Sequence, residues 1–194
     1  DRDEPAGRPL AESAIYQRQT PNNTTGGGCL DPGDICDQFG IDLTRNSSFQ
    51  WGGIGAETDP CSQTFRGASA LSEPETAAIQ AEMASVFPDQ RGPDPGDAAP
   101  GNASGDLVTL HSYAQSVLYP WGHTDTPAPN DTAFQTLGRK FGYFNGYAVC
   151  QPSVCLYLTS GTTDDWAYGE LGTAAFTFEV GKSFFEDCIS FEDS

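Results

Sequence analysis

The chain has 194 residues, 37% of them hydrophobic, and a net charge of −18 from 27 acidic and 9 basic side chains. That length suffices for one domain with a sizeable core, while 22 glycines and 14 prolines imply many loops around it. With only two lysines, Lys140 and Lys182, the chain has little with which to neutralise phosphates, which argues against nucleic acid and anionic membrane surfaces as partners.

In chain order, residues 1–35 are polar and rich in Gly, Pro and Asn, with LAESAIYQ the one hint of a short element. FGIDL, residues 39–43, reads as a short strand in an otherwise irregular stretch. SEPETAAIQAEMASVF reads as a helix. Ser72 and Glu75 form a capping box, Pro74 sits in the first turn, and Ala78, Ile79, Met83 and Val86 recur at helical spacing. Residues 88–105 read as an exposed loop insertion, since strand-like sequence resumes directly after them. DLVTLHS and AQSVLYP are β-rich runs. DTAFQTLGRKFGYF reads as an amphipathic helix capped by Asp131 or Asn130. CLYLTSG ends in a turn, TDDWAYGEL reads as a short helix opened by two acidic residues, and TAAFTFEV is a nearly continuous apolar strand ending on Glu179. Strands mixed with helices at this spacing predict an α/β fold, a mixed sheet flanked by helices.

Six cysteines, none in a C-x-x-C pair, point to disulfides and an oxidising compartment. Sequons at Asn22, Asn23, Asn46, Asn102 and Asn130 agree, each a weak signal alone. No leader, membrane span or lipidation motif is legible, and a start at Asp1 leaves room for a segment removed upstream. The acidity fits either an ordinary solvated surface or adaptation to high salt.

Four places carry candidate chemistry. His111 ends an apolar strand, so it is either a satisfied structural residue or a ligand. The polar Ser112 and Tyr113 beside it favour a site, because α/β sheets place ligands at strand ends. Glu179 interrupts an apolar strand and is either paired, facing water at the strand end, or poised for proton transfer. Arg45, after GIDLT, is either an anion fork or half of a surface salt bridge. Of Asp164 and Asp165, helix capping accounts for one; the second needs another account.

The segments HSYAQSVLYPWG, LYLTSGTTDDWAYGELG and AAFTFEV, preceded by GIDLTRN and PCSQTFRGASALSEPE, resemble the zinc carboxypeptidase family, the carboxypeptidase A/B type of metallopeptidase. The resemblance covers roughly residues 15–192 apart from the loop near 88–105. It implies that His111 is a zinc ligand and Glu179 the general base. It implies that Arg45 grips the substrate's terminal carboxylate with Thr44 beside it, where the family usually has Asn. Tyr157 then closes over the bound peptide, Ser112 and Tyr113 line the cleft, and Arg18 polarises the scissile carbonyl. Asp164 falls at the floor of the pocket for the C-terminal side chain, where an Asp goes with Lys or Arg. Cys36–Cys61 is the disulfide the resemblance implies, with Cys150–Cys155 closing a short loop.

The function so implied is a secreted, monomeric zinc carboxypeptidase that removes a C-terminal residue, Lys or Arg, from peptides. The family's zinc site also needs an upstream His-x-x-Glu pair, and no such pair occurs here. His123, in WGHTD, falls in a loop and is not expected to be a ligand. Residues 1–194 are therefore expected to be part of a catalytic domain, incomplete at both ends. The competing expectation is an inactive relative or fragment that binds peptide C-termini.

Overall fold

The structure, a computed structural model, describes residues 40–60, 62–184 and 186. Its centre is a four-stranded mixed sheet in the order β1 (Asp106–His111), β4 (Ala174–Glu179), β2 (Ser116–Leu118), β3 (Ala148–Cys150). β1 runs parallel to β4, β2 parallel to β3, and β2 antiparallel to β4.

Strand alternation decides which residues face what. Phe176 and Phe178 of β4 project to one side, where Phe141 of helix α2 (Asp131–Asn145) meets both rings at 5.2 and 5.5 Å. Ala175 projects to the other side and packs with Trp166, Ala167 and Leu171 of helix α4 (Thr163–Leu171) and Met83 of helix α1 (Pro74–Val86). The helices thus flank both faces, as expected. Tyr119, Trp121, Phe134, Tyr168 and Phe176 form the larger core cluster. A one-turn helix α3 (Pro152–Cys155) follows β3 and is tied to it by the Cys150–Cys155 disulfide. Cys36 and Cys61, and with them the other expected pairing, lie outside the described residues.

Several local expectations are corrected. FGIDL forms only a bridge at Ile41, followed by a 3-10 turn at Leu43–Arg45. Asp42 accepts the Thr44 N–H, which turns the chain before a strand can extend. The capping box at α1 does not form: Glu73 is the N-cap, and the Ser72 hydroxyl instead donates to the Glu73 carboxylate and accepts from Asn46. α1 buries Thr76, Gln80 and Met83, leaving Ile79 and Val86 exposed. Docking on α4 selects that face, since a helix rich in alanine carries little directional apolar weight. Asn130 sits at the N-cap of α2 without capping it; its side chain binds Ala99 and the Tyr168 hydroxyl. The α4 cap is Thr162, which accepts the Asp165 N–H, so neither Asp164 nor Asp165 plays that part.

The 88–105 loop is better anchored than its composition suggests. Arg91 is buried, and its guanidinium donates to the carbonyls of Asp97, Gly169, Asp94 and Pro95 while lying over the rings of Trp121 and Tyr168. One side chain thereby holds the loop on α4.

Candidate active site

The parallel register of β1 and β4 aligns their C-terminal ends, pairing Thr109 with Thr177 and His111 with Glu179. Across β4, Ser116 of β2 is paired with Glu179 and Leu118 with Thr177. Directly paired residues share a face of the sheet. Thr109, His111, Leu118, Thr177 and Glu179 therefore form one patch, on the face opposite Phe176 and Phe178. All five line a cleft of about 280 Å³.

The other walls come from separate segments. Thr44 and Arg45 arrive on the 3-10 turn, Ser112 and Tyr113 on the loop after β1, Tyr157 on the segment after α3, and Asp164 on the first turn of α4. Gly161 makes the closeness possible. Its φ of +72° and the 2.5 Å that would separate a Cβ from the Arg45 carbonyl oxygen both require glycine. Every expected site residue except Arg18 is thus brought to one cleft; Arg18 lies outside the described residues. The threonines at 109 and 177 escaped the sequence reading, although counting back two residues from His111 and from Glu179 would have found them.

Arg45 is 5% exposed, which sets aside the surface salt-bridge reading. Its Nε donates to the Gly55 carbonyl at 2.8 Å, and Nη1 donates to the Thr44 carbonyl at 3.0 Å and the Thr44 hydroxyl at 2.6 Å. The Thr44 hydroxyl in turn donates to Asp42 at 2.7 Å. Asp42 itself stands 3.9 Å from Nη1. Among the described residues this leaves Nη2 with a single long contact, 3.4 Å to the hydroxyl of the cleft-lining Tyr157. The guanidinium is thus fixed by one edge and has hydrogen-bonding capacity left over for an anion.

The two adjacent aspartates do different things. Asp165 is fully buried and turns away from the cleft, accepting the N–H groups of Gly122 and His123 at 2.8 and 3.1 Å and approaching the His123 Nδ1 to 2.8 Å. Burial pushes its pKa up despite the hydrogen bonds from His123 and Gly122. His123 is therefore occupied in a brace between α4 and the segment after β2, with its ring edge-on to Phe49 and Trp121. Asp164 lines the cleft, with one oxygen accepting the Asp165 N–H at 3.0 Å and the other taking the Thr177 hydroxyl at 3.3 Å. Because Thr177 donates to Asp164, the 2.7 Å Thr109–Thr177 contact runs from Thr109 as donor.

A metal centre needs several ligating side chains held together. His111 is the histidine at the cleft, and no group of three His, Cys, Asp or Glu side chains able to hold a metal ion occurs among the described residues. By themselves these residues do not make a zinc centre. No helix among them is long and apolar enough to cross a membrane.

Comparison with known proteins places this geometry. The sequence pattern of the zinc carboxypeptidases matches residues 10–186. Carboxypeptidase A5 of Macaca fascicularis is 36% identical over 161 residues, covering 78% of this chain and 32% of that protein. Carboxypeptidase B of Bos taurus is 29% identical over 169 residues, covering 84% and 35%. Carboxypeptidase A from Helicoverpa armigera superposes with a TM-score of 0.64 at 23% identity, covering 88% of this chain and 39% of that one. Bovine thrombin-activatable fibrinolysis inhibitor, solved in complex with tick carboxypeptidase inhibitor, superposes with a TM-score of 0.60 at 24% identity, covering 74% and 47%. The chain spans about a third of the length of the curated relatives it matches.

Proposed function

The chain belongs to the zinc carboxypeptidase family, and on that basis we propose that the protein containing it removes the C-terminal residue, Lys or Arg, from peptides. The observation that carries this reading is the cleft itself. A buried arginine with spare hydrogen-bonding capacity, a strand-end glutamate and a buried aspartate converge on it from three separate segments.

Arg45 takes the terminal carboxylate, which restricts the site to chain ends. Thr44 keeps the guanidinium aimed, and its own hydroxyl proton is committed to Asp42 rather than to substrate. Tyr157, half exposed beside Arg45, closes over the bound end, with Ser112 and Tyr113 along the wall. Asp164 faces the cationic side chain. Glu179 takes the proton of the attacking water and passes it to the leaving amine. Arg18 polarises the carbonyl that is attacked. Family membership implies zinc as cofactor; His111 supplies one ligand, and the remaining ligands come from outside the described residues. The Cys150–Cys155 disulfide supports an extracellular setting.

A second reading, a module that binds peptide C-termini without cleaving them, draws on the lack of a three-ligand cluster among the described residues. One experiment separates the two. Zinc content and release of C-terminal Arg from a short peptide are measured on the full-length protein and on its Glu179→Gln variant. The enzyme reading expects about one zinc per chain, with turnover lost by about 10²–10⁴-fold in the variant while peptide still binds. Peptide binding with no turnover in the unmodified protein establishes the binding module instead, and turnover unchanged in the variant refutes Glu179 as base.

A further inference from the structure

Three of the five N-x-[ST] sequons lie at described residues, and the fold treats them differently. Asn46 has no exposed surface. Its amide nitrogen donates to the carbonyls of Arg66 and Ser69 and to the Ser72 hydroxyl at 2.9–3.2 Å, and its oxygen accepts the Glu73 N–H at 3.1 Å. Asn130 is half-buried, with its oxygen accepting the Ala99 N–H and the Tyr168 hydroxyl and its nitrogen donating to the Ala99 carbonyl. Asn46, with three acceptors around its two amide hydrogens, cannot carry a substituent without losing a bond, and the Asn130 amide is held by bonds at both its oxygen and its nitrogen that fix it against Ala99 and Tyr168.

Asn102 differs on every count. It is exposed, and its side chain makes no hydrogen bond among the described residues. It sits at a central position of a β-turn closed by the Ala103 N–H on the Pro100 carbonyl at 2.9 Å. Its neighbour Gly101 has open space where a side chain would be. The base of the turn is fixed, because the Gln90 side chain both accepts the Ser104 N–H at 2.7 Å and donates to the Ser104 carbonyl at 2.9 Å. The third sequon position is thus held in place with its exposed side chain at the surface.

We infer that Asn102 carries an N-linked glycan and that Asn46 and Asn130 stay bare. The co-substrate is a lipid-pyrophosphate-linked oligosaccharide, used by the host's oligosaccharide transferase. The Asn102 amide nitrogen bonds to the anomeric carbon of the first sugar as the bond from that carbon to the pyrophosphate oxygen breaks. The lipid pyrophosphate leaves with the electron pair, and one amide proton is lost to the transferase. Asn102 precedes β1, whose far end carries His111 at the cleft. The six residues of that strand separate the two ends by roughly 17–20 Å, so a glycan at Asn102 leaves the cleft open. The inference rests on the extracellular reading of the protein.

The test is peptide mapping of the full-length protein secreted from a eukaryotic host, with enzymatic deglycosylation in heavy-oxygen water to tag each occupied asparagine. The tag is expected at Asn102 and not at Asn46 or Asn130. Asn102→Gln is expected to lose one glycan in mass and keep its peptide hydrolysis. A bare Asn102 in material whose Cys150–Cys155 bond is formed overturns the inference and leaves the extracellular reading standing. Tagging of Asn46 or Asn130 overturns the burial argument. A reduced cysteine pair with no glycan at any site overturns the inference together with the extracellular reading.

Discussion

His111 and Glu179 are paired across the parallel ladder of β1 and β4, at the ends where both strands reach the cleft. Residues 68 positions apart are thereby placed by the sheet itself, whose register leaves little freedom to either backbone. The rest of the cleft is hung on less regular structure, and its side chains need individual anchors.

Arg45 has the most anchors. Arg45→Lys removes the planar fork, so one ammonium replaces a guanidinium fixed to Gly55 and Thr44. On the proposed function, kcat/KM for peptides with a free C-terminus falls by about 10²-fold, near the loss of a charge-assisted bidentate contact. Peptides amidated at the C-terminus, already poor substrates, change little. Steady-state kinetics on matched acid and amide peptides checks this, and an equal loss on both would mean that Arg45 does not read the carboxylate.

Thr109 acts at one remove. It donates to Thr177, which donates to Asp164, so its hydroxyl helps hold the carboxylate proposed to meet a substrate cation. Thr109→Val is isosteric and lacks the donor. The preference for Lys-ending over Phe-ending peptides is expected to drop by about 3–10-fold, the range of one modest hydrogen bond, and Thr109→Ser should restore it. If both substrates slow alike, the effect is a general distortion of the sheet.

Arg91 supports stability rather than chemistry. Removing it strands the carbonyls of Asp94, Pro95, Asp97 and Gly169 and two aromatic faces. Arg91→Ala is expected to cost about 2–4 kcal/mol of unfolding free energy. Chemical denaturation measures it; a loss under about 0.5 kcal/mol, the scale of an ordinary surface substitution, would show that the loop does not depend on the arginine.

Asp165 gives a pH signature. Its folded-state pKa is raised above the ordinary 3.8, chiefly by burial. Between that value and the raised one, the folded chain holds more protons than the unfolded chain. This group's contribution to stability is therefore fully present below 3.8 and is lost as pH rises through the folded-state pKa. Asp165→Asn cannot ionise. The stability difference, native minus variant, should decline with rising pH across that window in parallel denaturation series; a rise would reverse the assigned direction.

Much of this was legible in the sequence. The apolar runs at 106–111 and 174–179, the helix at 131–145 and the acidic start of α4 follow from periodicity and composition, which act locally. His111, Glu179 and Arg45 stood out because an ionisable residue in an apolar or acidic setting needs a reason. By residue type and spacing alone the sequence did not distinguish Asp164 from Asp165, and only the family resemblance put Asp164 at the pocket; two neighbours in one helical turn look alike until the fold buries one against Gly122 and His123 and leaves the other at the cleft. It did not separate the sequons at Asn46, Asn102 and Asn130, which share a pattern and differ only in what surrounds them. Nor did it reveal the Thr109–Thr177–Asp164 chain, because strand pairing joins its first two members across 68 positions and helix docking joins the last two across 13. Sequence thus determined the residue types and the longer elements, but not the short ones at 41–45, 148–150 and 152–155. Long-range pairing decided which side chains share a face and which lose contact with water, because both depend on atoms far away along the chain.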